Sequence, residues 1–270
     1  MRLLHGKMAF VKERGQRYNI SMRVLHITVS ERSFDSVLDW VTRQVGADVQ
    51  HHLVSVNPEG VLLAQKNDQY RDALNRASLG LADGVGIQLA SKILNASIPP
   101  RVPGVDVMIK LCEIAAQKHW KVYLRGGGGE TAKKTAEKLK AKFPGLAIEG
   151  EEGISREVQS SKFKENSERG ESMNKINAIS PQLLFVALGQ PKQELWIDEH
   201  LKEMPSVRIA MGVGGAFDFI SGKVPRAPLV MRRIGLEWLW RLFVQPWRAP
   251  RIFNATVRFI WSVVKERLKR

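Results

Sequence analysis

An aspartate, a glutamine-glutamate pair and a run of glycines stand where apolar, strand-like runs of this chain give way to polar loops. Leu81-Ala82-Asp83-Gly84 puts a carboxylate at the end of such a run. A short, rigid acid held there suits a general base, and an Asp-Gly turn bonding its own backbone is the plainer alternative. Leu183–Leu188 (LLFVAL) leads through Gly189-Gln190-Pro191-Lys192 to Gln193 and Glu194. Just past a parallel strand, these two face the crevice where open α/β sheets bind ligands. Read instead as a helix start with Pro191 at its first position, they satisfy free backbone donors. Arg125-Gly126-Gly127-Gly128-Gly129-Glu130-Thr131 has the strand-to-helix setting of a phosphate-cradling loop. Glu149 lies about twenty residues further, where a ribose-binding acid belongs, so a nicotinamide-dinucleotide-dependent oxidoreductase is the competing chemistry. Thr131 occupies the place of the third glycine, and Gly212-x-Gly214 also stops short, at Phe217.

The elements needed to position these groups follow from hydrophobic period. Arg23–Val29 reads as a first strand, and Val37, Leu38, Val41 and Val45 mark a helix over 34–45. Leu53–Val56 is a strand ending at Asn57-Pro58-Glu59, with a helix from Val61. Leu79–Ala82 is a strand, Ile87–Leu94 a helix, and Asp106 a cap for a helix over Val107–Lys118. Strand Lys121–Leu124, helix Glu130–Phe143, strand Leu146–Glu149 and a polar helix within Glu151–Ile176 follow. Leu183–Leu188 and Val207–Met211 complete the set. Strands alternating with helices at this spacing predict an α/β protein with a mostly parallel sheet.

Composition narrows the function. The chain has 270 residues, is 44% hydrophobic and carries a formal charge of +15, with a pI near 10.1. That charge calls for a polyanionic partner: nucleic acid, anionic lipid headgroups or phosphorylated substrates. One cysteine, Cys112, excludes a disulfide framework and fits a reducing, cytoplasmic compartment. No Asp-x-Asp pair, His-Glu-x-x-His or cysteine-histidine cluster supports a metal, and no Gly-x-Ser-x-Gly elbow supports a serine nucleophile. Residues 1–21 are basic and aperiodic and read as a loose extension without the apolar stretch of a signal peptide. No cofactor is expected, and a homo-oligomer is compatible with the sequence.

The end of the chain, from Val224, differs in kind. Trp238, Trp240, Trp247 and Trp261 accompany nine arginines, against two acids, Glu237 and Glu266. Wound as a helix from Arg251, it places Ile252, Phe253, Val257, Phe259, Ile260, Val263, Val264 and Leu268 on one broad face. Arg251, Arg258, Lys265 and Lys269 lie opposite, with Trp261 at the border. This describes a helix lying in a membrane interface. A terminal helix docked on the core with a solvated basic face also fits. Nucleic-acid binding fits less well, because the aromatics cluster with aliphatics instead of forming a stacking platform.

Asn57-Pro58-Glu59, Ala82-Asp83-Gly84, Arg101-x-Pro103-Gly104-x-Asp106, Gly189-x-Pro191-Lys192-Gln193-Glu194, Gly212–Asp218, Arg226-Ala227-Pro228 and Glu237-Trp238-Leu239-x-Arg241-Leu242 occur in one order over about Met22–Arg251. In that order they resemble the WecG/TagA/CpsF family of bacterial glycosyltransferases. The resemblance implies a Rossmann-like core over 22–228 and a membrane-associating helical appendage over 229–270. It implies a metal-independent, inverting enzyme at the cytoplasmic face of the plasma membrane. Such an enzyme moves an N-acetylmannosamine-type sugar from a UDP donor to a polyprenyl-diphosphate-linked N-acetylglucosamine, with an anionic membrane surface as partner and no nucleic acid. Its base falls on Asp83, its loop arginine on Arg101 and its active-site glutamine on Gln193. Its appendage arginines fall on Arg241, Arg248 and Arg251, and its threonine before Asn-Pro-Glu on Ser55, which keeps the hydroxyl. Asn57, Glu59, Gly126, Glu194, Gly214 and Asp218 are the further residues expected to bind substrate.

Overall fold

The computed structural model describes residues 21–151 and 162–269, apart from the side chains of 162–169, 248, 251 and 254. The basic extension lies outside the described residues, except for Ser21. Six parallel strands make the central sheet: β3 (His51–Val56), β4 (Leu79–Ala82), β5 (Val122–Gly126), β6 (Ile148–Gly150), β7 (Leu183–Ala187) and β8 (Ile209–Gly212). They lie in the order β4-β3-β8-β7-β5-β6. This is the expected Rossmann-like α/β arrangement. Side chains alternate between faces, so Leu53, Leu124, Phe185 and Met211 enter one core, and Val54, Tyr123, Val186 and Ala210 point the other way. The first face is covered by α1 (Phe34–Val45), α5 (Gly104–Lys118), α6 (Thr131–Lys142) and α9 (Ala216–Ile220). Against the second pack α2 (Pro58–Ala64), α3 (Asp68–Arg76), α4 (Val85–Ile93), α7 (Lys162–Ile179) and α8 (Lys192–His200).

Three local expectations change. The first strand is a hairpin, β1 (Ser21–Val24) and β2 (Ile27–Ser30), in a sheet of its own. Leu25 and His26 turn the chain at φ 47° and 68°, the left-handed pair a two-residue hairpin needs. Neither is a usual turn residue. Distant side chains hold the turn: Gln65 Nε2 donates to the Leu25 carbonyl at 2.7 Å and Asn75 Nδ2 to the His26 carbonyl at 3.0 Å. The Leu25 amide donates to Glu266 Oε2 at 3.2 Å. Second, the helix after Asn57 is two helices, α2 and α3, capped by Asn57 and Asn67. Third, Asp106 does not cap α5. The helix starts at Gly104 behind Pro103, and Asp106, inside its first turn, pairs with Arg226 Nη1 at 2.8 Å.

The C-terminal part comprises α10 (Leu229–Arg233), α11 (Glu237–Val244), a 3₁₀ turn at Pro246–Arg248 and α12 (Ala249–Lys269). The broad apolar face of α12 is divided. Phe259 and Val263 are wholly buried against the core that contains Val61 of α2 and Ile87 and Ala90 of α4. Phe253, Val257, Trp261 and Leu268 remain exposed. The helix is thus docked on the core, and an apolar strip of it still faces solvent. Among the described residues no helix is long and apolar enough to cross a membrane.

This division separates two kinds of substitution. Phe259→Ala empties a filled site and should cost about 3–5 kcal/mol of stability, whereas Trp261→Ser should stay within about 0.5 kcal/mol. Thermal and urea unfolding of the two variants checks this, and equal effects would mean that α12 is not seated through Phe259.

Candidate active site

Because all six strands run one way, their carboxyl ends gather the sequence motifs along one rim. Asn57 follows β3, Asp83 follows β4, Gly126–Gly129 close β5, Gly189-Gln190 follow β7 and Val213-Gly214 follow β8. The amide of Asp83 donates to the Val56 carbonyl at 2.9 Å, and Val102 bonds back to Ala82 at 2.8 Å. The Arg101–Gly104 loop therefore lies alongside the end of β4. The Gly104 amide points at Asp83 Oδ2 from 3.5 Å, the outer limit of a hydrogen bond.

Asp83 lies deep among protein atoms, although the residue as a whole is only half-buried. Its pKa is pushed up to about 6, first by burial. The negative charges of Glu237 and Asp106 act in the same direction, and the Gly104 amide and the Arg101 charge pull against it. The carboxyl is thus ionised at neutral pH but holds a proton far better than an ordinary aspartate. Arg101, half-buried beside it, donates from Nη2 to the Arg232 carbonyl of α10.

The start of the appendage closes over this rim. Arg226 pairs through Nη1 with Asp106 of α5 at 2.8 Å and through Nε with Glu237 of α11 at 3.1 Å. Trp240 Nε1 donates to the Pro225 carbonyl at 3.0 Å. The Arg241 guanidinium lies 4.7 Å over the Phe219 ring, and its Nη2 takes the space that a Cβ on Gly215 would need. Arg241 is thereby brought to the β8–α9 loop, next to Gly214 and to Asp218, which has Lys223 Nζ at 3.8 Å. The side chains of Arg248 and Arg251, predicted to share its role, lie outside the described residues.

Other predicted positions are occupied by the protein itself. Asn57 caps α2, its Oδ1 accepting from the Gly60 amide at 2.8 Å, and its Nδ2 approaches Gln190 Oε1 at 3.4 Å. Gln190 Nε2 donates to the Ser55 carbonyl at 3.2 Å, while Ser55 Oγ packs against Gly104. Gln193 is 2% exposed and Glu194 0%. The Gln193 carbonyl accepts from the Gly189 and Gly214 amides at 3.1 and 3.0 Å. Its Nε2 donates to Glu194 Oε1 at 2.8 Å. Glu194 is pushed up to about 7 by burial, against the pull of the Gln193 and Gln190 amides. Glu59 is half-buried in the first turn of α2. Gln190 and Arg226, which tie the loops together, lie in the sequence motifs, but Ser55 and Asp106, the partners that give them this role, are over one hundred positions away.

The dinucleotide reading loses its geometry. Gly126 to Gly129 all take positive φ, 93° to 54°, which only glycine adopts so freely, and they do form a tight loop before α6. Arg125 is nevertheless turned inward, paired with Glu151 at 2.8 Å and stacked 4.5 Å over Trp196. Glu149 is exposed in the middle of edge strand β6 instead of standing beyond its end.

A family model described as "Glycosyl transferase WecG/TagA/CpsF family" matches residues 22–270. A protein of Bacillus spizizenii (strain ATCC 23059 / NRRL B-14472 / W23) is 33% identical over 214 residues, 79% of this chain and 78% of its own. One of Bacillus subtilis (strain 168) is 32% identical over 228 residues, 84% and 82% of the two chains. One of Staphylococcus aureus (strain MRSA252) is 30% identical over 217 residues, 80% and 81%. All three are named N-acetylglucosaminyldiphosphoundecaprenol N-acetyl-beta-D-mannosaminyltransferase. With a matching rim of motifs and a match reaching from the first hairpin through the terminal helix, this chain belongs to the WecG/TagA/CpsF family of glycosyltransferases.

Proposed function

We propose that the protein transfers an N-acetylmannosamine-type sugar, with inversion, from a UDP donor to a polyprenyl-diphosphate-linked N-acetylglucosamine. The observation that carries this is Asp83: a carboxyl group at a strand end, in a half-buried residue, with raised proton affinity and an arginine beside it. The names of the relatives supply the sugar and the acceptor. No geometric feature favours hydride transfer.

In this reading Asp83 takes the proton from the acceptor hydroxyl as that oxygen attacks the anomeric carbon. The bond to UDP breaks on the opposite face, and its electron pair leaves with the diphosphate. Among the described residues no group of three or more His, Cys, Asp or Glu is placed to hold a metal ion. Arg101 and Arg241, joined by Arg248 and Arg251, take up the leaving-group charge in this reading. The rim loops and Asp218 position the donor. Arg101 and Arg241 join the rim to α10 and α11, so the appendage belongs to the active site.

The same appendage meets the membrane. Val230, Ile234, Trp238, Phe243 and Trp247 are exposed on and around α10, α11 and the turn after them, as are Phe253, Val257, Trp261 and Leu268 of α12. Apolar side chains among arginines suit an anionic bilayer surface. The protein thus works as a peripheral enzyme at the cytoplasmic face, where its lipid-linked acceptor is held.

Three outcomes are expected. Transfer should fall on an acid limb near pH 6, and Asp83→Asn should lose about two to four orders of magnitude of rate. A variant with more than a tenth of wild-type turnover would place the base elsewhere. Stability should move the opposite way. The folded-state pKa of Asp83 lies above its unfolded value, so wild-type stability declines as pH rises from about 4 to 6. Asp83→Asn should therefore melt higher than wild type above pH 6, with the difference vanishing near pH 4. Finally, Trp238→Ser/Phe253→Ser/Trp261→Ser should bind anionic vesicles about tenfold more weakly with an unchanged melting temperature. Undiminished vesicle sedimentation would sink the membrane role of these residues.

A further inference from the structure

Gln193 spends its amide within the protein. Its one carbonyl oxygen receives both the Gly189 and the Gly214 amides, so it ties the loop after β7 to the loop after β8. Gly212 makes the room, since a Cβ there would stand 2.7 Å from Gln193 Nε2. A carboxamide makes this tie in one orientation only. Turned over, its NH₂ would face two N–H donors.

The orientation is decided by what Nε2 meets, and it meets Glu194 Oε1 at 2.8 Å. Glu194 is sealed from solvent. Its Oε2 and the equally buried hydroxyl of Tyr70 make no well-formed hydrogen bond, and the Gln190 amide lies near enough to favour the ionised acid. Tyr70 is electrostatically coupled to Glu194, and its hydroxyl converges with the Gln190 amide on Gly60. The acid is therefore embedded between α2, α3 and α8, with no path to a substrate hydroxyl.

We propose that Glu194 is a positioning residue. It holds the Gln193 amide in the orientation that clamps the two central loops, and so shapes the donor-binding part of the crevice without touching the donor or receiving the acceptor's proton. The donor half of this inference rests on the function proposed above; the clamp stands on geometry alone.

Glu194→Gln keeps an acceptor oxygen and removes the ionisable group, whereas Glu194→Leu removes the acceptor. Glu194→Gln should keep the UDP-sugar KM within about threefold and retain the acid limb of the pH profile. Glu194→Leu and Gln193→Leu should each raise that KM about tenfold, with a smaller fall in kcat. The double variant should be no worse than Gln193→Leu, because the two residues act in series. Amide hydrogen exchange read by NMR should show Gly189 and Gly214 protected in wild type and Glu194→Gln, and exchanging faster in the leucine variants. Loss of transfer in Glu194→Gln as complete as in Asp83→Asn would overturn the proposal, because the ionised acid would then be doing chemistry. Additive losses, or exchange that does not change, would overturn the clamp. Should Glu194→Leu fail to fold, Glu194→Gln and Gln193→Leu carry both readouts. A wild type that binds no UDP yet shows the expected exchange pattern would overturn the donor reading and leave the clamp standing.

Discussion

Parallel strand direction is the constraint on which everything else depends. It sends Asn57, Asp83, Gly126, Gly189 and Gly214 to one rim although they are scattered over about 160 positions of the chain. An antiparallel sheet would divide them between two edges. Parallel pairing also demands a crossover element between neighbours, and those crossovers are the helices that bury both faces. The rim loops need not be rigid by themselves, because each is tied to its neighbour: Asp83 to Val56, Val102 to Ala82, Gln190 to Ser55, Gln193 to Gly189 and Gly214.

Two acids on this rim have raised proton affinity for the same reason, removal from water. Asp83 is half-buried and has an arginine nearby, as the proposed proton acceptor requires. Glu194 is sealed and faces an amide. A perturbed pKa thus marks a functional neighbourhood, and access decides which member exchanges protons. Arg226 connects this neighbourhood to the appendage: it neutralises Asp106 and Glu237, whose charges would otherwise make ionising Asp83 harder still.

The sheet was legible from β-branched runs bounded by glycine and proline, and Asp83 from its place after one of them. The hairpin at Leu25-His26 was not, because its turn is imposed by Gln65, Asn75 and Glu266, residues that no local window contains. Asp106 resembled a cap because capping residues and ion-pair residues share a carboxylate, and its partner Arg226 is 120 positions away in the chain. The Gln193 motif was found, but its direction was not. A polar side chain after a strand can point into the crevice or across to the next loop, and only the neighbouring amides decide. The helical period of α12 gave a single apolar face, which packing then shared between protein and solvent.

The bond from the Leu25 amide to Glu266 joins the first described hairpin to the last helix across 241 positions of chain. At synthesis rates of about 5–20 residues per second, that partner emerges some ten to fifty seconds after the hairpin itself. The seat of Phe259 and Val263 on α2 and α4 is apolar surface made well before the helix that covers it. The element that seals this flank is the one that carries the exposed Trp261.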